Sequence, residues 1–307
     1  VVLAISIAAR VWLGFGFLIF ATLAMGVAIS LANVLFPTLI VAEFPNSVAK
    51  MTAFYTTLLS GFAALAAGFA VPASNTLGSW KIFLTILAIP ALLGIGTWWL
   101  TVRRDQPHTE VTASQLSSGL WAHPLAWTLA IFFGFQSANF YVMLNWLPSI
   151  LTSQGFSSAV AGSVLGYMTC IGIPAGLVMT ANLKRLARFS TALVVVISVV
   201  TSLGIALFML GPSFVWLGAT FAGVGLSCSF PLSLALIAMK SMNKTTTTSL
   251  SAISQGIGYL IAAASVFLAG WAEGLMHSWM PVLLASILLA LLQAFAGSFA
   301  AKHRQLD

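Results

Sequence analysis

Apolar residues run along this chain in long blocks free of charge, not in alternation. No Asp, Glu, Lys or Arg occurs in residues 11–42, 51–80, 82–102, 111–183, 189–239, 245–272 or 274–301. A bilayer core of about 30 Å is crossed by about 20 helical residues. Most blocks therefore predict one spanning helix each. The blocks 111–183 and 189–239 have room for two, with breaks predicted near Ser153–Ser158 and at Gly211-Pro212-Ser213. The pattern predicts nine complete helices, roughly 13–40, 50–72, 81–100, 124–150, 159–181, 189–210, 213–239, 247–270 and 278–300. The two-residue alternation of a transmembrane β-barrel is not found.

The opening stretch VVLAISIAA falls outside this scheme. As a helix it spans about 13 Å, less than half a bilayer core. It lacks a starting Met and a basic segment, so it does not read as a signal peptide. It is expected to be the end of a helix begun upstream, on a chain truncated at its N-terminus.

Composition narrows the class. Apolar residues make up 60% of the 307 positions and charged residues 6%, against roughly 25% charged in a soluble domain. A water-soluble fold is excluded. The net charge of +7 is too dilute for a nucleic-acid surface but carries topology. Threading nine helices back and forth puts Lys50, Arg103, Arg104, Lys184, Arg185, Arg188, Lys240, Lys244, Lys302 and Arg304 on one side, and only Arg10 and Lys81 on the other. Basic loops stay on the cytoplasmic side. A cytoplasmic C-terminus in a cell (inner) membrane is thus predicted, with 101–123 as a cytoplasmic linker and 301–307 as a cytoplasmic tail. Cys170 and Cys228 lie deep in apolar runs, and no CxxC or HExxH is present. No disulfide framework, metal or cofactor is expected.

An internal repeat is visible at an offset of 197 residues. Gly26-Val27-Ala28-Ile29-Ser30 falls on Gly223-Val224-Gly225-Leu226-Ser227, Gly61-Phe62 on Gly258-Tyr259, and Ala66-Ala67 on Ala263-Ala264. The helices near 81 and 278 also correspond, each beside a tryptophan, Trp80 and Trp279. One offset serves three consecutive helices. With the missing front restored, the plan is six helices, a linker and six more. That is the parallel-repeat arrangement of major facilitator transporters. Residues 1–100 would be the remainder of an N-terminal bundle and 124–300 a complete C-terminal bundle.

Three stretches resemble the cyanate-permease family of the major facilitator superfamily, which includes nitroimidazole transporters. They are GVAISLANVLFPTLIVAEFP with Tyr55, HPLAWTLAIFFGFQSANFYVMLNWLPSIL, and SLSAISQGIGYLIAA. The likeness covers essentially the whole chain. It implies an all-α polytopic membrane protein of two six-helix bundles, with cyanate or a nitroimidazole-like compound as solute. The superfamily's GxxxDRxGRR loop would precede Val1, and its second-half relative reads LKRLARF, without the Asp.

Binding chemistry must come from uncharged groups, because no complete helix carries a charge in its middle. Polar residues at mid-depth face other helices or a wet cavity. The helix from Pro124 carries Gln136 and Asn139 on one face, and Tyr141, Asn145 and Trp146 on another. One face is expected to line a cavity and the other to pack. Gln136, Asn139, Tyr141 and Trp146 are candidates. The helix from Thr247 adds Ser251, Gln255 and Tyr259, with Gly258 at the same level; the first half adds Asn33 and Tyr55. Pro174, Pro231 and Gly258 are candidate hinges. Gly61, Ala64, Gly68 and Ala262–Ala264 are expected to serve close helix packing.

These features predict a secondary transporter of a small polar solute or small anion, working by alternating access. It is expected to be a monomer in the lipid bilayer, without a nucleic-acid partner, and with protons as the candidate coupling ion. The truncated chain is not expected to transport by itself. A receptor or scaffold of transporter ancestry and a transporter of another small organic solute are the alternatives. An intramembrane enzyme is not expected, since no acid pair, Ser–His pair or metal cluster falls inside a helix.

Overall fold

The computed structural model describes residues 1–44, 47–102, 118–240 and 244–302, and among them every regular element is a helix. These are α1 (Val2–Ala9), α2 (Phe15–Glu43), α3 (Val48–Thr76), α4 (Trp80–Ile86), α5 (Ile89–Val102), α6 (Pro124–Ser153), α7 (Ser158–Leu186), α8 (Ser190–Leu207), α9 (Val215–Met239), α10 (Lys244–Met276) and α11 (Met280–Lys302). Most of the expected linker and all but the start of the expected tail lie outside the described residues. Seven stretches among the described residues are long and apolar enough to cross a membrane: Trp80–Thr97, Pro124–Ser153, Ser158–Leu183, Ser190–Leu207, Pro212–Met239, Ser249–Met276 and Met280–Lys302.

The predicted breaks have local causes. After α6, Gly155 takes φ +93°, and the Phe156 N–H reaches back to the Leu151 carbonyl at 3.2 Å. This left-handed glycine closure satisfies the helix's last carbonyls. Gly211, at φ +103°, turns the chain between α8 and α9. At the start of α6, Pro124 occupies the first turn and His123 Nδ1 accepts from the Leu125 N–H at 3.2 Å. One expectation needs correcting. The single helix foreseen over 81–100 is two, α4 and α5, separated at Leu87 and Ala88. Pro90 explains it: it lacks an N–H, and its ring clashes with the carbonyl four residues back, at Ile86, where α4 ends. Pro148, Pro174 and Pro231 instead sit inside continuous helices.

The chain divides into two compact units, Val1–Thr56 with Phe69–Thr112, and Thr57–Gly68 with Ala113–Asp307. In the first, α1 lies against α2, α4 and α5, and Trp12 Nε1 donates to Thr85 Oγ1 at 3.1 Å. In the second, α6 packs on α10 and α11, α8 on α9 and α11, and α7 on α9. The repeat reappears in the helix bounds. Moved along by 197 residues, α2 covers 212–240, α3 covers 245–273, and α4 with α5 covers 277–299. Those spans match α9, α10 and α11 to within three residues at each end. Packing order repeats too, since α1 touches α2, α4 and α5 as α8 touches α9 and α11.

Small residues bring the second unit's helices together. Gly172 and Gly176 of α7 abut Ser227 of α9; Gly204 of α8 abuts Ala222, and Gly225 of α9 abuts Thr201. A side chain at any of these positions would force the helices apart, the close-approach device of membrane bundles. The contacts run α7 parallel to α9 and α8 antiparallel to it. The C-terminal ends of α7 and α9 and the start of α8, marked by Arg185, Lys240 and Arg188, therefore share one end of the unit. Lys240 Nζ donates to the Ala301 carbonyl at 2.8 Å, which puts the end of α11 there too. Two apolar clusters fill the bundle. One includes Leu125, Phe132, Phe133, Ile197 and Leu236; the other includes Met143, Leu147, Met168, Phe208 and Ala222. Between them along the helices lie buried polar residues: Gln136, Asn139, Ser198, Ser229 and Gln293.

Candidate functional site

The clearest recess in the second unit lies between α6 and α10. Its volume is about 440 Å³, and its lining is Tyr141, Tyr259, Ala262, Ala263 and Val266. Parallel packing of α6 on α10 builds it. Gly134 and Gly258 let the two backbones approach: a Cβ added at 258 would lie only 3.1 Å from the Gly134 nitrogen. Farther along, Trp146 Nε1 donates to the Val266 carbonyl at 2.9 Å, and Gly270 lies against the indole. Trp146 also packs on Trp279, ring centroids 5.2 Å apart. The two tyrosines lie between these clamps.

Tyr141 and Tyr259 meet edge to face, centroids 6.3 Å apart, and are 37% and 36% exposed. Tyr259 meets Phe133 edge to face at 5.3 Å, and Phe133 contacts Phe230 of α9 at 6.0 Å. Such geometry favours the pairing of ring edges with faces. The lining carries no Lys, Arg, Asp or Glu. Ala262 and Ala263 keep the floor low. Ala262, expected to serve packing, is 2% exposed, whereas Ala263 is exposed at the recess.

The other face of α6 has different surroundings. Gln136 is 1% exposed, and its Nε2 donates to Ser137 Oγ at 2.7 Å. Asn139 is fully enclosed; with its amide oriented by its partners, it donates to the Ser286 carbonyl at 3.0 Å and accepts from the Ala290 N–H at 3.3 Å, both on α11. These two candidates therefore lie away from the recess. Asn145 turns back on its own helix and donates to the Tyr141 carbonyl at 2.8 Å.

On α10, Gln255 Nε2 donates to Ser251 Oγ at 2.6 Å. Ser251, Gln255 and Tyr259 follow at four-residue steps, so they form one stripe leading to the recess. Gly258 faces Phe133. Pro174 lies between the two α7 glycines that abut Ser227, and the Cys228 thiol donates to the Ala175 carbonyl at 3.5 Å. Pro231 follows one turn later on α9. In the first unit, Tyr55 stacks on Phe36 at 5.5 Å; the side chain of Asn33 lies outside the described residues.

Two features were not foreseen. The hydroxyls of Tyr167 on α7 and Thr220 on α9 lie 3.0 Å apart on an exposed face, with Trp216 edge-on to Tyr167. In the first unit, Ser74, Asn75, Gly78, Ser79 and Trp80 enclose a hollow of about 360 Å³ at the α3–α4 turn. The polar run SNTLGSW was the available signal for it.

Comparison with known proteins agrees with this architecture. Residues 1–263 match the model of the Major Facilitator Superfamily. The chain is 33% identical over 295 residues to the uncharacterized transporter YycB of Bacillus subtilis (strain 168), covering 94% of this chain and 72% of that protein. It is 32% identical over 289 residues to the 2-nitroimidazole transporter of Escherichia coli (strain K12), covering 93% and 72%. The cyanate transport protein CynX of the same organism is 27% identical over 254 residues, covering 82% and 64%. Among solved structures, an inward-facing, unoccupied bacterial homolog of the human lysosomal transporter Spinster superposes with a TM-score of 0.70 at 12% identity, covering 98% of this chain and 82% of that one.

The chain belongs to the Major Facilitator Superfamily. It is a multi-pass membrane transporter of small solutes, and the relatives whose names state a role are transporters.

Proposed function

We propose that the protein carries a small, flat, polar solute of the nitroimidazole type across the cytoplasmic membrane by alternating access between two helical halves. The observation that carries this reading is the neutral aromatic recess between α6 and α10. A heteroaromatic ring can lie against the edge-to-face pair Tyr141 and Tyr259, and their phenol hydroxyls can donate to nitro oxygens. Cyanate is the second reading, supported by the likeness to a cyanate transport protein. It fits this recess less well. An anion taken out of water needs a charged partner, and the lining holds none.

In this reading Tyr141 and Tyr259 contact solute, and Ser251 and Gln255 line the approach. Trp146 fixes the recess wall through the Val266 carbonyl. Gln136 and Asn139 hold α6 within its bundle. Asn33 and Tyr55 are the first half's candidates. Pro174, Pro231 and Gly258 are the positions where helices would flex. The domain plan is that of the sequence: 1–100 and 124–300 as bundles, 101–123 and 301–307 cytoplasmic. The positive charges at one end of the second unit support a cytoplasmic C-terminus. Its helices carry Glu273 and His277 only near the end of α10, so proton coupling would reside elsewhere.

Uptake into proteoliposomes by the full-length gene product tests the proposal. Labelled 2-nitroimidazole is expected to enter saturably, with excess cyanate failing to compete. Saturable cyanate uptake indifferent to 2-nitroimidazole would reverse the choice of solute. No flux of either would count against both.

A further inference from the structure

The buried polar layer of the second unit contains an unbalanced set of hydrogen-bonding atoms. Among the described residues, four buried side-chain atoms lack a partner: Arg10 Nε, Ser198 Oγ, Ser254 Oγ and Gln293 Oε1. Helix register places two of the four at one level of the bundle. On the α8–α11 contact, Gly297 lies against Val194. The helices are antiparallel there, so one turn onward on α8 and one turn back on α11 brings Ser198 level with Gln293. On the α8–α9 contact, Gly225 lies against Thr201. One turn from that pair, in the same direction, lie Ser198 and Ser229. Gln293 Nε2 donates to Ser229 Oγ at 3.1 Å, which ties α11 to α9 at this level. Ser229 in turn donates to the Gly225 carbonyl at 3.0 Å. Its hydroxyl proton is therefore committed, and it cannot serve the Gln293 carbonyl.

What is left over is one hydroxyl, Ser198, and one amide oxygen, Gln293 Oε1. Ser198 is 0% exposed and Gln293 1%. They do not bond each other. We propose that the junction of α8, α9 and α11 binds a single internal water molecule, which accepts from the Ser198 hydroxyl and donates to Gln293 Oε1. A water so placed has the minimum of two partners that buried waters need. The ligand class follows from the donor set. The junction offers a few neutral oxygens and no carboxylate, too little for a metal cation, which takes six or more oxygens when hard. Through Ser229 the water would join three helices in one network.

The sign of one substitution tests this. With a bound water, Ser198→Ala strands the Gln293 carbonyl, and the folding equilibrium constant in a detergent titration is expected to fall about tenfold. Without one, Ser198 is an orphan whose removal is harmless or helpful; unchanged or raised stability overturns the proposal. Gln293→Leu is then made in both backgrounds. A shared water predicts that it costs clearly less once Ser198 is gone, and strictly additive costs overturn the idea. An experimental map with ordered water gives the same decision without any variant. A peak within about 3 Å of both Ser198 Oγ and Gln293 Oε1 supports the site; two ordered side chains with no peak between them defeat it.

Discussion

Two faces of α6 carry polar groups within six residues of each other, and the fold treats them in opposite ways. Tyr141 opens onto a recess shared with Tyr259, whereas Gln136 and Asn139 are sealed against the bundle. The sealed face is the more polar in composition and the open one the more aromatic. A buried amide without partners costs a few kcal/mol, so amides that face inward must be satisfied by neighbouring helices. Asn139 does this with two backbone groups of α11. A tyrosine has a wide apolar body and needs only its tip in a polar setting. Its ring can border an open recess while its hydroxyl stays at the polar edge. On α6, the amides are sealed between helices, while Tyr141 borders the open recess.

The comparison is broken most severely at the recess floor. Ala263 is exposed and lines the recess. In the full-length gene product, Ala263→Trp should fill the space beside Tyr141 and Tyr259 while leaving the bundle intact, because the position is exposed. Transport efficiency of the variant is expected to fall about tenfold or more, with the purified yield and melting behaviour unchanged. Full transport by a well-folded Ala263→Trp protein would remove the recess from the mechanism.

On the sealed face the effect should be smaller and of a different kind. Asn139→Leu keeps the volume but leaves the Ser286 carbonyl without its extra donor. A loss of about 1–3 kcal/mol in stability is expected, read as a shifted unfolding midpoint in detergent. The apparent affinity for solute in the folded fraction should not move. If affinity fell with stability intact, Asn139 would belong to the site and the contrast between the faces would fail.

How much of this could be read from residue order varies by level. Helix positions were legible because gaps between charges map directly onto spans, and the breaks at Gly155 and Gly211 follow from left-handed backbone that only glycine adopts easily. The 197-residue repeat is visible again in the helix bounds of the two units, and in the second unit Gly223 and Ser227 set the close crossing of α9 on α7. The interruption at Leu87 and Ala88 is not legible from Pro90 alone. Pro148, Pro174 and Pro231 lie where the helix continues through them, and sequence alone does not separate the two cases. Helical spacing showed that α6 has two polar faces but not which one opens. That depends on the rotation of α6 against α10 and α11, which is fixed by Gly134, Gly258 and Trp146 acting together. Ala263, which the spacing also suggests for packing, lines the recess for the same reason. A small side chain serves a contact or a hollow depending on what stands opposite.

The smallest expected effect lies beyond both faces, at the basic end of the unit. Lys240 is 8% exposed, and its ammonium donates to the Ala301 carbonyl at the last turn of α11, where a cation suits the helix dipole. Burial nevertheless holds its pKa below the usual lysine value. In the unfolded chain the group keeps a pKa of about 10.4. Between the lowered value and that one, the unfolded chain binds more protons, so stability should rise with pH across this alkaline window. Below the lowered value both states are charged and the dependence vanishes. Lys240→Gln keeps a donor for Ala301 without a titrating charge, so it should erase the alkaline rise and alter neutral stability by no more than about 0.5 kcal/mol. Unfolding midpoints of both proteins from pH 7 into the alkaline range, taken in one detergent at fixed salt, measure the slope. If the parent's stability instead fell through that window while the variant's stayed level, the charged lysine would be favoured by its surroundings, and the dipole would outweigh burial at this end of the bundle.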